Sequence, residues 1–192
     1  DVPDDLSPGA ALLWVFHGYT GSAASMRESA GFHQLDTQQP FVVVYPQGTP
    51  DSRGNAFFNV GYEFHRDQRV DDLAFVRQLT DQLVTDLKLD RKAVFATGMS
   101  NGGDMSYLLG SQQDPLVTAI APIAGTMMQS TAQGFVPAGR ISVLAAHGTQ
   151  DRVTRWDGDP DNRDGWGPYP GVETGLRLWT AGLALEKKTV KN

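Results

Sequence analysis

Five short apolar runs punctuate the chain, at residues 11–16 (ALLWVF), 41–45 (FVVVY), 93–96 (AVFA), 117–124 (VTAIAPIA) and 141–146 (ISVLAA). Each is near-continuously apolar instead of alternating, the pattern of strands covered on both faces of a parallel sheet. Helical patterns lie between them. Asp71-Asp72 caps one whose apolar positions, Leu73, Val76, Leu79, Leu83 and Leu87, recur on one face. Residues 22–34 predict another, and residues 172–183 a third, with Val172, Leu176, Trp179 and Leu183 in one stripe. No repeat, low-complexity tract or Gly/Ser linker divides the sequence. Strand alternating with helix therefore predicts one α/β domain, residues 1–192, a mostly parallel sheet with right-handed crossovers.

Composition narrows the function classes. At 192 residues, 40% hydrophobic and 20% charged, the chain can bury one proper core. No apolar run approaches the ~18–20 residues of a membrane helix, so no membrane partner is expected. Sixteen Lys+Arg against twenty-two Asp+Glu give a net charge of −6, and no basic face is available for nucleic acid. The absence of cysteine removes disulfides, thiolate metal sites and cysteine nucleophiles together. The chain opens on Asp1-Val2-Pro3 with no signal peptide, which reads like the interior of something larger.

The strand ends carry the chemistry, because open parallel sheets bind ligands beyond the carboxyl ends of their strands. Those ends read His17-Gly18-Tyr19-Thr20-Gly21, Pro46-Gln47-Gly48-Thr49, Gly98-Met99-Ser100-Asn101-Gly102-Gly103 and His147-Gly148-Thr149-Gln150-Asp151. The third is G-x-S-x-G between a strand at residues 92–97 and a helix at residues 104–112. A nucleophilic serine needs that order. Small flanking residues permit a strained strand-to-helix turn that lifts the hydroxyl above the sheet, and the helix aims its positive end at developing negative charge. Ser100 is the nucleophile candidate.

GMSNGG, the upstream HGYTGS, the segment PFVVVYPQGT, the helix DDLAFVRQL and the later HGTQD occur in the same order in secreted α/β-hydrolase esterases. The sequence resembles the group that joins feruloyl esterases, acetylxylan esterases and polyhydroxybutyrate depolymerase-like proteins, from about Val2 to about Leu183. The resemblance implies an α/β-hydrolase fold with helices on both faces, and a secreted serine esterase needing no cofactor and no metal. It implies backbone N–H groups of Tyr19, with Thr20 as the close alternative, and of Asn101 as the oxyanion hole. It implies Asp151 as the acid that orients a histidine, with a turn-forming aspartate as the bland alternative. It also implies a histidine after the acid, and none follows His147. His17 and His147 read as structural, and His33 and His65 match no family position. The base is therefore expected from beyond residue 192, and the strands before Val2 and the segment after Asn192 are expected to belong to a larger hydrolase.

Two aromatic loops complete the reading. Residues 55–64 (NAFFNVGYEF) are either local packing or a platform for an aromatic acyl group or sugar, with Phe57, Phe58 and Tyr62 as the binding candidates. Trp156, Trp166 and Tyr169 flank the second loop, and Trp156 is the binding candidate there. Inside it, Asp157-Gly158-Asp159-Pro160-Asp161 mimics a calcium loop but lacks the central glycine and the bidentate glutamate, so a solvated acidic loop is expected. The expected partner is an ester substrate, feruloyl or acetyl groups on plant polysaccharide. A polyhydroxyalkanoate depolymerase is the rival within the same chemistry. A non-catalytic polysaccharide-binding or scaffold protein is the rival outside it.

Overall fold

The computed structural model describes residues 1–35, 37–137 and 141–181. In chain order its strands are β1 (Leu12–Phe16), β2 (Val42–Val44), β3 (Thr49–Pro50), β4 (Ala56–Phe57), β5 (Val94–Met99), β6 (Ala119–Ile123), β7 (Ser142–Val143), β8 (Gly158–Asp159) and β9 (Tyr169–Pro170). Its helices are α1 (Ala23–Ala30), α2 (Asp72–Asp86), α3 (Asn101–Gly110), α4 (Gln129–Ala132) and α5 (Val172–Thr180). The five apolar runs become one parallel sheet in the order β2-β1-β5-β6-β7, while β3-β4 and β8-β9 are two-residue antiparallel pairs. From β1 the chain steps outward to β2, then returns to the other side of β1 to lay down β5, β6 and β7. The order reverses between β1 and β5, and a crevice opens beyond their carboxyl ends at such a switch point.

Side-chain alternation along β1 divides the core. Leu12, Trp14 and Phe16 point to one face, where they pack with Val76 of α2, Met105 and Leu109 of α3, Ile120 of β6 and Trp179 of α5. Each such fully buried side chain contributes roughly 1.5–3 kcal/mol. The Trp14 indole N–H donates to Thr80 Oγ1 on α2 at 3.1 Å, so this core leaves that donor satisfied. Leu13, Val15 and Val43 point to the opposite face, where α1 packs against β1.

Local sequence explains the helix limits. Asp71 caps α2 by accepting from Ala74 N–H at 2.9 Å. The single helix expected over residues 22–34 is instead α1 plus a short 3-10 turn at Phe32–Gln34, because Gly31 ends α1 in the left-handed conformation. α5 matches the third stripe through Trp179, and Leu183 lies outside the described residues. The last strand is shorter than its apolar run. Pro122 of β6 has no N–H to donate, which interrupts the ladder, and pairing resumes beyond it as an isolated bridge where Ala146 N–H donates to Pro122 O at 3.0 Å and Ala124 N–H to Ala146 O at 2.8 Å. Two-sided burial holds for β1 but not at the other end of the sheet, where Met99, Ile123 and Leu144 are exposed. Among the described residues no helix is long and apolar enough to cross a membrane.

Candidate active site

β5 ends at Met99 and α3 begins at Asn101, leaving Ser100 alone on the turn with φ 55° and ψ −120°. A non-glycine residue in that region is strained by about 1–3 kcal/mol and persists only where its surroundings enforce it. Here they do. Ser100 N–H donates to Ile123 O at 2.9 Å, and Ser100 O accepts from Asp104 N–H at 2.9 Å. The glycines make room for these contacts. A Cβ at Gly98 would lie 2.5 Å from Gly102 O and 2.7 Å from Phe16 O, and one at Gly102 would run into the Phe16 carbonyl. The Ser100 hydroxyl makes no bond to the helix it precedes and faces a cleft.

The loop after β1 lies against this turn. A Cβ at Gly18 would lie 3.4 Å from Met99 O and 3.6 Å from Ser100 Cβ, ordinary contact distances that place this loop directly against the serine turn. Thr20 N–H is occupied, donating to Ala56 O at 2.9 Å, whereas Tyr19 N–H has no acceptor among the described residues. The N–H of Asn101, first in α3, is likewise free. Its side chain cannot compete for the site, because Oδ1 accepts from Phe58 N–H at 2.8 Å and Nδ2 donates to Phe58 O at 2.9 Å. Asn101 is thereby welded to the neighbouring loop, with its backbone N–H left beside Ser100.

Asp151 sits on a turn whose next residues, Val153 and Thr154, line the same cleft as Ser100. Its Oδ1 accepts from Val153 N–H at 2.8 Å and Thr154 N–H at 3.0 Å. Its Oδ2 lies 3.9 Å from His147 Nε2, which instead donates to Thr154 O at 2.7 Å. The residue thus builds its own turn through one oxygen and keeps the other oxygen available.

None of the four histidines lines the cleft. His17 is buried, with Nδ1 donating to Gly18 O at 2.7 Å and Nε2 accepting from Gly48 N–H at 3.0 Å, and burial lowers its pKa. Both ring nitrogens hold loop backbone, as a structural histidine does. His147 is tied to Thr154, His65 lies against Asp51 at 3.1 Å, and His33 lines a separate cavity with Asp1, Arg27 and Phe41.

Aromatic residues wall the cleft, though not all those expected. Tyr62, Trp166 and Tyr169 line it beside Met128. Phe57 and Phe58 do not. Both are core residues, Phe57 tilted against His65 with ring centroids 3.8 Å apart and Phe58 edge-on to Phe16 at 5.0 Å, so neither has a face to offer a ligand. Trp156 packs against His147 at 6.1 Å and is absent from the lining, and Trp166 takes the place expected for it.

Sequence reasoning also missed Asp104, which lines the cleft although almost wholly buried. It accepts from Tyr62 O–H and Thr126 N–H, each at 2.6 Å, and burial raises its carboxyl pKa to about 7. The available signal was its position, one helical turn beyond Ser100 and hence on the serine's side of α3.

The acidic loop is solvated at Asp157 and Asp161, which are exposed, and buried and paired at Asp159. Asp159 is buried, bonded to Arg163 at 3.1 Å and to Asp164 N–H at 2.9 Å, and Asp164 binds Arg155 through both oxygens at 2.7 and 2.8 Å. Among the described residues no three His, Asp or Glu side chains are grouped to hold a metal ion.

No family model matches the sequence. Curated proteins do. The chain is 27% identical over 155 residues to a bifunctional acetylxylan esterase/xylanase of Neocallimastix patriciarum, covering 81% of this chain and 21% of that protein. It is 28% identical over 124 residues to poly(3-hydroxyalkanoate) depolymerase C of Paucimonas lemoignei, covering 65% and 30%. It is 28% identical over 145 residues to feruloyl esterase D of Neurospora crassa, covering 76% and 45%. The chain therefore spans less than half the length of each of these relatives. Among solved structures, a thermostable esterase superposes with a TM-score of 0.63 at 20% identity over 93% of this chain and 47% of that one. A Bacillus cereus carboxylesterase gives 0.56 at 20% identity over 78% and 71%. The fold is that of the α/β-hydrolase esterases.

Proposed function

We propose that the protein is a serine carboxylic-ester hydrolase. The observation that carries this reading is Ser100 itself, held at φ 55° on the turn between β5 and α3, facing the cleft at the switch point of the sheet. A scaffold has no use for that strain, and strained residues concentrate where chemistry needs them. Ser100 Oγ attacks the ester carbonyl while an imidazole takes its proton. The negative oxygen of the tetrahedral intermediate is stabilised by the N–H groups of Tyr19 and Asn101, which have no other acceptor among the described residues. Collapse expels the alcohol with that proton, and water then releases the acid from Ser100 by the same path. Asp151 orients the imidazole through its available oxygen. With all four histidines of this sequence engaged or remote, the reading assigns the imidazole to the protein outside these 192 residues.

The similar proteins support acetyl or feruloyl esters on plant polysaccharide as substrates, with poly(3-hydroxyalkanoate) as the second reading. Plant polysaccharides are polymers that do not cross a membrane, so the first of these readings places the enzyme outside the cytoplasm. The test is hydrolysis of p-nitrophenyl acetate, methyl ferulate and poly(3-hydroxybutyrate) by the full-length protein and its Ser100→Ala variant. Acetate turnover that falls by orders of magnitude in the variant is the expected result. A variant as active as its parent would overturn the reading.

A further inference from the structure

A backbone donor is only as good as its placement, because an oxyanion hole works through preorganised donors at 2.7–3.1 Å from the developing charge. Tyr19 lies in a loop, where placement is not given by regular structure. Its following residue is strained, Thr20 having φ 67°, and Thr20 N–H is fastened to Ala56 O of β4 at 2.9 Å. The Tyr19 side chain supplies a second tether from the same hairpin. Its phenol donates to Asp51 Oδ2 at 2.7 Å and accepts from Asn55 Nδ2 at 2.9 Å.

Asp51 does more than its own turn requires. Oδ1 accepts from Arg53 N–H at 2.8 Å and Asn55 N–H at 2.9 Å, which is what an aspartate does in a tight loop. Oδ2 instead reaches out to two side chains distant in sequence, Tyr19 and His65, the latter at 3.1 Å. The His65 ring is buried with Nδ1 lacking a partner, so Nε2 carries the hydrogen and donates it to the carboxylate. Four donors thus converge on one carboxylate that is almost wholly buried. They hold its pKa well below the ordinary carboxylate range, the Tyr19 phenol foremost among them. Charge-assisted bonds are shorter and stiffer than neutral ones, which suits a group whose task is to fix a position.

We infer that Asp51 is a positioning residue for catalysis, clamping the Tyr19 phenol so that the Tyr19 N–H is held in place for the oxyanion, with His65 and Asn55 bracing the clamp. The inference rests on the serine-hydrolase reading and deepens it. The clamp also reaches the cleft wall, since the Tyr19 ring stands edge-on to Trp166 at 5.7 Å. Removing the phenol oxygen alone disturbs the donor that acts in the transition state and keeps the Tyr19 ring against Trp166, so the wall that binds the ground-state ester stays in place.

The experiment uses the full-length protein and four variants. Tyr19→Phe removes only the phenol oxygen, Asn55→Ala removes its second partner while the hairpin backbone bonds stay, and Asp51→Asn and Asp51→Ala change the hub. The readouts are kcat and KM for p-nitrophenyl acetate and the inhibition constant of an alkyl trifluoromethyl ketone, whose adduct mimics the tetrahedral oxyanion. Losing a whole oxyanion donor lowers kcat by about 10²–10³, and a loosened one should lower it less. Tyr19→Phe should therefore lower kcat about tenfold and weaken the ketone in parallel, with KM within about twofold of the parent. Asn55→Ala should move both in the same direction by less, and Asp51→Asn should retain more activity than Asp51→Ala. Should Tyr19→Phe fail to fold, Asn55→Ala carries the same test. A Tyr19→Phe or Asn55→Ala enzyme with parental kcat and ketone affinity overturns the clamp alone when Ser100→Ala is inactive. So does a fall in kcat with ketone affinity unchanged. Activity surviving in Ser100→Ala overturns the clamp together with the hydrolase reading.

Discussion

Replacing Asp104 with asparagine should stabilise the protein above neutral pH and change little in acid. Burial raises the Asp104 carboxyl from 3.8 to about 7, against the hydrogen bonds from Tyr62 and Thr126 that favour its charged form. The unfolded chain therefore releases this proton near pH 4, while the folded protein keeps it to about pH 7. Stability falls as pH rises through that window, because the folded state binds the extra proton there, and it levels off above about pH 7. A displacement of that size corresponds to about 4 kcal/mol at 1.36 kcal/mol per pH unit, an upper limit because relaxation and water entry reduce it. Asparagine keeps the shape, can accept from Thr126 N–H through its oxygen, and can donate to the Tyr62 oxygen. The neutral amide escapes the charging penalty. Urea unfolding of parent and Asp104→Asn between pH 4.5 and 8, followed by tryptophan fluorescence, measures the difference. The variant's advantage in unfolding free energy should grow with pH up to about pH 7 and then hold, reaching at most about 4 kcal/mol. Parallel pH profiles for the two proteins would show that Asp104 ionises normally and that the reasoning is wrong.

The remaining predictions probe packing, the cleft wall and the triad. Gly102→Ala should destabilise by about 3 kcal/mol or more, since its Cβ would strike the Phe16 carbonyl, whereas Gly175→Ala, with open space around it in α5, should stabilise by about 0.5–1 kcal/mol. Urea midpoints that move alike for both would contradict this. Trp166→Ala should raise KM for aryl esters severalfold and Trp156→Ala should not, and the reverse result would restore Trp156 to the binding site. Asp151→Asn in the full-length protein should lower kcat by about 10⁴ with Ser100 still present, as expected when an imidazole loses its orienting carboxylate. Near-parental turnover would leave Asp151 as a turn former. Residues 1–192 alone should show no more than the ~10³–10⁴-fold acceleration over water that survives loss of a triad member. Full activity from them would make one of His17, His33, His65 or His147 the base.

The parallel sheet and the serine turn were legible because each is written locally. A strand such as β1 must be apolar at nearly every position to be buried on both faces, and Gly98, Ser100, Gly102 and Gly103 are adjacent in sequence. The rest of the site depends on pairings across the fold. Phe57 and Phe58 look in the sequence like a binding platform, and nothing local says that the backbone of Phe58 binds Asn101, 43 residues away. Tyr62 and Asp104 are 42 residues apart, and an aspartate in the first turn of a helix reads as an ordinary partner of the helix dipole. A separation of 32 residues hides the Tyr19 clamp, since Asp51 in its loop has the chemistry of any turn aspartate. Asp159 reads as a solvated acid because nothing in its local sequence says that its carboxylate is buried against Arg163 and the Asp164 N–H.

The central claim is that Ser100 is an activated nucleophile in an esterase. Treating the full-length protein with a fluorophosphonate and locating the adduct by tandem mass spectrometry tests this most directly. The account predicts a single phosphonylated residue, Ser100, formed in step with loss of p-nitrophenyl acetate hydrolysis and abolished by Ser100→Ala. Hydrolysis that continues with Ser100 fully labelled, or inactivation with the adduct on another residue, would contradict it.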